Sequence, residues 1–153
     1  MSMTHILGRF ETNAAEFYQN FKENDHAFEN IPLRAMSALT HNILGAIDYE
    51  KVKQKRNENY KILSDGLGHL NGLSLKEHDA PYAYPFYCKN GLKLKKRLAE
   101  EKIYVATLWP NVLCLDGTQE KDFAENILPL PCDQRYDSED MKRIVWEISK
   151  CRI

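Results

Sequence analysis

The stretch Asn126 to Tyr136 reads N-I-L-P-L-P-C-D-Q-R-Y and sets two prolines around one leucine just before a run with helical spacing. Proline brings no backbone N–H to a sheet ladder, so Pro129 and Pro131 confine the segment to a sheet edge or an extended strap. Beyond it, Asp137 or Ser138 offers an N-cap for S-E-D-M-K-R-I-V-W-E-I-S-K, with acidic residues in the first turn and Lys150 in the last. Met141, Ile144, Val145 and Ile148 form the apolar stripe of that helix. Something upstream must hold the strap in place.

Working back toward the N-terminus, Ile103 to Leu108 (I-Y-V-A-T-L) reads as a strand, and Leu94 and Leu98 stand four apart on a short helix after the Asn90-Gly91 turn signal. Ala83 to Cys88 (A-Y-P-F-Y-C) is an aromatic-rich strand that Pro85 makes an edge or interrupts. Leu73 to Lys76 alternates apolar and polar as a half-buried strand does. Earlier still, Asp48 caps a run in which Val52, Tyr60, Leu63 and Leu67 are roughly in phase, fading near Gly66 and Gly68. Ser37 caps a run with Leu39, Ile43, Leu44 and Ile47 on one stripe, and Glu11 to Asn24 places Ala14, Phe17, Tyr18 and Phe21 on one aromatic face. The order α-α-β-β-α-β-α predicts an α+β fold: a small, mainly antiparallel sheet of about three strands covered on one face by helices. A single domain is expected over 1–153, with 1–30 as a helical lead-in.

The chain has 153 residues, 43% hydrophobic and 28% charged, with a formal net charge of -1. That balance provides no basic field for a polyanion, so nucleic acid is not an expected partner. No run of eighteen apolar residues and no secretory leader is evident, so no membrane span is expected and the cytoplasm is the expected compartment. Cys88, Cys114, Cys132 and Cys151 form no C-x-x-C and are expected as reduced, partly buried thiols. No phosphate-loop, H-E-x-x-H or G-x-S-x-G pattern is present, and the five histidines are scattered, so no metal site is expected. Lys89 to Leu98 (K-N-G-L-K-L-K-K-R-L) could be a polyanion patch, but the solvated face of an amphipathic helix, diluted by Glu100-Glu101, accounts for the same residues. Tyr82, Tyr84, Phe86, Tyr87 and Trp109 could stack on a base or sugar, although aromatics on short strands are more often sheet core.

Arg34, Met36, Ser37, Asp48, Arg56, Asn59 and Tyr60 stand in an order that resembles the C-terminal domain of the DegT-like family of pyridoxal-phosphate (PLP) sugar aminotransferases. Those proteins share a similar Arg-Met-Ser element, a helix ending near Asp, and an Arg-x-x-Asn-Tyr helix. P-Y-A-Y-P-F-Y-C, E-K-I-Y-V-A-T-L-W-P and I-L-P-L-P-C-D-Q-R-Y-D-S-E-D-M-K-R-I continue the likeness, which spans roughly Ile31 to Ile148. Where that family often has a His shortly after the Pro, this chain has Asn111 and Val112 after Pro110. The resemblance implies the small domain of a fold-type I PLP enzyme over 31–153, with the strap as an edge strand leading to the closing helix. In the family the lysine, the acidic partner of the pyridinium and the phosphate donors lie on the large domain, which has no counterpart here. No catalytic residue is therefore expected, and no PLP bound by this chain alone. For substrate, Arg34 is expected to meet an anionic group, and Tyr84 with Trp109 to stack on a sugar. The structural alternatives are an ion pair for Arg34 and core packing for the aromatics. The expected partner is a PLP-domain chain or a second copy, and the alternative function is a protein-binding or oligomerisation module without enzymatic activity.

Overall fold

A computed structural model describes residues 4–12, 16–28, 31–33, 35–76 and 79–151. The chain divides into two compact units, Met1–Ile47 and Asp48–Ile153. The first contains α1 (Thr4–Glu11), α2 (Tyr18–Ala27) and α3 (Ala38–Gly45). The helix expected over Glu11 to Asn24 is thus replaced by the end of one helix and most of another, and Ala14 lies outside the described residues. Gly8 accounts for the fold-back: a Cβ there would sit 2.4 Å from the Phe17 ring, so the bare backbone of α1 accepts the aromatic at the start of α2. Ser37 caps α3 as expected, its hydroxyl accepting from the Thr40 N–H at 3.1 Å.

The second unit runs α4 (Tyr49–Leu67), a 3-10 turn (Gly68–Leu70), β1 (Ala83–Tyr87), α5 (Gly91–Glu100), a second 3-10 turn (Pro110–Cys114), α6 (Gln119–Asn126), β2 (Ile127–Pro131) and α7 (Ser138–Ser149). Asp48 caps α4 by accepting from Lys51 N–H at 3.0 Å. Asp137 and Asp140 form a capping box at α7, each carboxylate taking the other's backbone N–H at 3.0 Å. α5 ends in a Schellman arrangement, with Ile103 N–H on Leu98 O at 2.8 Å and Lys102 N–H on Ala99 O at 3.0 Å. Lys102 occupies the left-handed position at φ 60 that glycine usually fills.

Among the described residues the sheet holds two antiparallel strands, where about three were expected, and the prolines supply the reason. The register pairs Ala83 with Pro131, Tyr84 with Leu130, Pro85 with Pro129, Phe86 with Leu128 and Tyr87 with Ile127. All three prolines therefore share the parity whose backbone groups point away from the partner strand, and the β1–β2 ladder loses no donor. Cys88 N–H on Asn126 O at 3.1 Å continues the bonded parity. The same parity strips N–H groups from the outer edge of β2 at Pro129 and Pro131, so a further strand has little to pair with there. On the outer edge of β1, the Asn71 side chain donates to Pro85 O at 2.9 Å and accepts from Tyr87 N–H at 3.0 Å, while Gly72 N–H donates to Tyr87 O at 3.0 Å. Both edges are closed without another strand. Ile103 and Val105 are buried and Tyr104 exposed, the alternation of a strand, yet 103–107 and 73–76 lie outside the ladder.

Tyr84, Phe86, Leu128 and Leu130 turn one sheet face onto Leu63 and Leu67 of α4 and Met141, Ile144 and Ile148 of α7. Each such aliphatic or aromatic side chain contributes about 1.5–3 kcal/mol by leaving water. Gly66 brings α4 and α7 together, because a Cβ there would lie 2.7 Å from a Val145 methyl. No helix among the described residues is long and apolar enough to cross a membrane.

Candidate functional site

α4 carries Arg56, Asn59 and Tyr60 at helical spacing, and all three reach the strap, its partner strand or the turn after it. Asn59 is fully buried, and its amide nitrogen donates to Asp133 O and Tyr136 O, both at 3.0 Å, with Cys132 O at 3.4 Å. Its amide oxygen has no partner among the described residues. Arg56 Nε donates to Gln134 Oε1 at 2.8 Å, and the Tyr60 ring meets Tyr84 edge-on at 5.1 Å. Arg135 grips Asp133 through two bonds of 2.8 and 2.9 Å and holds that carboxyl below its usual pKa. Burial lifts the Cys132 thiol to about 11, which leaves it protonated and unreactive at neutral pH. The cluster fastens α4 to the start of α7 and presents no activated group.

Of the three residues expected to meet substrate, Tyr84 and Trp109 are described, and one is buried while the other is exposed. Tyr84 is 1% exposed, its ring in the core and its hydroxyl accepting from Asn71 Nδ2 at 3.2 Å, as the core alternative for the aromatics anticipates. Trp109 is 65% exposed, on a left-handed backbone (φ 51, ψ 55) before Pro110 that a bulky residue seldom adopts. Arg34 lies outside the described residues.

A cleft of about 400 Å³ opens between the start of α5 and the end of α7, lined by Cys88, Asn90, Lys93, Leu94, Arg97, Lys150 and Cys151. Lys150 is held by Glu147 at 2.9 Å and lies 4.9 Å over the Trp146 ring. Cys151 donates its thiol proton to Glu147 O at 3.3 Å, and burial pushes the Cys88 thiol up, so neither sulfur is set up as a nucleophile. Sequence reasoning placed Lys93 and Arg97 on a solvated face. Lys150 comes from a distant helix, and no local pattern announced that it joins them.

PLP chemistry requires a lysine beside a phosphate cradle and an acidic partner for the ring nitrogen. Lys95 is the one lysine among the described residues whose pKa burial pushes down; its ammonium donates to the Thr107 hydroxyl. Neither Lys95 nor Thr107 lines the cleft between α5 and α7. No group of three His, Cys, Asp or Glu among the described residues could hold a metal ion. No protein-family model, curated protein or solved structure matches the chain. Fold and site together define a small helical α+β unit with a two-stranded sheet.

Proposed function

We propose that the chain is the small, C-terminal domain of a PLP-dependent sugar aminotransferase of the DegT-like kind, akin to the small domain of fold-type I enzymes, and is not catalytic by itself. The observation that supports this is the meeting of two separate stretches of the resemblance: Asn59 of the Arg-x-x-Asn-Tyr helix donates into the turn that follows the Leu-Pro-Leu-Pro strap. In this proposal both motifs are architecture, and the amino-transfer chemistry belongs to a PLP domain on other residues. Exposed Trp109 remains the side chain for a sugar, with Arg34 for an anionic group. The test is titration of the purified chain with PLP, borohydride trapping and peptide mapping. Weak labelling spread over many lysines is expected. A saturable adduct on one lysine would overturn the proposal, because a cofactor site would then exist within these residues.

A specific observation favours a second function, that of a binding or assembly module. Neither α2 nor α3 has a buried residue, while Met36, Leu39 and Ile43 are each more than half exposed. An apolar helix face of this kind is covered in most stable proteins. A PLP-domain chain or a second copy is the proposed cover. Sedimentation velocity over a range of concentrations separates the two: self-association points to a second copy, and a monomer throughout removes it and leaves the PLP-domain chain.

A further inference from the structure

Lys93 and Arg97 stand four apart and project together from α5, while Leu94 and Leu98 are buried on its inner side. Lys150, from the end of α7, lines the same cleft. Among the described residues, Glu147 is the carboxylate paired with these cations, through Lys150, so the group keeps a formal excess of two positive charges. Glu100 and Glu101 lie at the far end of α5 and do not line the cleft. Asn90 precedes α5, makes no side-chain cap bond and lines the cleft.

We propose that this cleft binds the phosphate group of a small soluble molecule. A phosphate monoester carries about -1.5 to -2 charge at neutral pH, which matches the excess, and a carboxylate carries half of that. The guanidinium of Arg97 presents paired donors that fit two phosphate oxygens, Lys93 and Lys150 add point charges, and the Asn90 amide adds a neutral donor. Leu94 and the two thiols give an apolar wall for the remainder of the molecule, and the volume is that of a small-ligand site. The proposal is independent of the aminotransferase reading, since it uses only the cleft.

The test is NMR on the full ¹⁵N-labelled chain, titrated with inorganic phosphate and, separately, with sodium chloride at matched ionic strength. Saturable shifts confined to the amides of Asn90 to Arg97 and Lys150 to Cys151 are expected with phosphate alone. The double variant Lys93→Gln, Arg97→Gln is expected to bind at least about tenfold more weakly. Both side chains are exposed, so the fold is expected to survive their replacement. Shifts that chloride reproduces, or binding that the double variant leaves intact, would overturn the site. A second readout needs no variant: saturating phosphate should slow iodoacetamide labelling of Cys151 relative to exposed Cys114, and equal rates would also overturn it. Vesicles containing phosphatidic acid distinguish the source. Broadening of the cleft amides by vesicles, with no response to inorganic phosphate, would refute a soluble ligand.

Discussion

Replacing Asn59 by aspartate lowers the stability of the chain by about 3–5 kcal/mol at neutral pH, the range for an uncompensated buried charge. The substitution changes almost no volume. It exchanges an amide that donates to Asp133 O and Tyr136 O for an acceptor facing those same carbonyl oxygens. The Asp133 carboxylate adds repulsion, while Arg135, already engaged by Asp133, and Arg56, engaged by Gln134, give limited compensation. Asn59→Ala instead leaves carbonyls without a donor and costs about 1–3 kcal/mol. At neutral pH the aspartate variant is therefore the least stable, the alanine variant intermediate and the native chain the most stable.

The pH dependence carries its own sign. Burial among acceptors raises the pKa of the introduced carboxyl above its unfolded value of about 3.9. The folded state then holds a proton that the unfolded chain has released, so stability relative to the native sequence falls as pH rises through that interval. Urea unfolding of the Asn59→Asp and Asn59→Ala variants beside the native chain at pH 5 and pH 7 checks this. An aspartate variant as stable as the alanine variant at both pH values would remove the fastening role.

Asn59 also shows what sequence reading reaches and what it misses. The caps at Ser37 and Asp48 were legible, and that of α7 to within Asp137 or Ser138, because each involves residues two or three apart. The strap was legible because proline's missing N–H is a property of the residue itself. Asn59 fell in the Arg-x-x-Asn-Tyr element of the resemblance, but its carbonyl partners lie 73 to 77 residues away, and no local pattern names them. Asn71 was hidden in the same way, since an H-L-N-G segment reads as a turn and not as the closing of a strand edge. The helix Gln119–Asn126 was missed because Q-E-K-D-F-A-E-N carries no apolar stripe for periodicity to find. The signals available were the Thr118 cap and the acidic first turn at Glu120 and Asp122. A-Y-P-F-Y was legible as an aromatic-rich strand, but only packing shows that Tyr84 and Phe86 take its core face.

Gly91→Ala tests a point where two local preferences oppose each other. Gly91 is the first residue of α5, and alanine is favoured over glycine in a helix interior by about 1 kcal/mol, so propensity alone predicts a gain. Packing predicts the reverse. A Cβ on Gly91 would lie 2.5 Å from Asn126 Cα and 2.5 Å from Glu125 O, both backbone atoms that no rotamer change can move. The site is also tied down: Gly91 N–H meets Cys88 O at 3.1 Å and Asn126 Oδ1 at 3.0 Å, and Cys88 N–H meets Asn126 O at 3.1 Å. Relief requires α5 to move from the junction of α6 and β2, which strains those bonds and the burial of Leu94 and Leu98. A net loss of about 2–3 kcal/mol is expected, since overpacking against fixed atoms outweighs propensity. The control is Gly68→Ala, at the end of α4, where a Cβ meets nothing within 4 Å and the backbone is already right-handed (φ -54). There the only large effect is the smaller conformational entropy of the unfolded chain, and a gain of about 0.4–1 kcal/mol is expected. Thermal unfolding of the two variants should move the midpoint in opposite directions. A neutral or stabilising Gly91→Ala would mean that α5 does not approach the backbone at the end of α6 as closely as described, and the cleft beside it would lose its fixed wall.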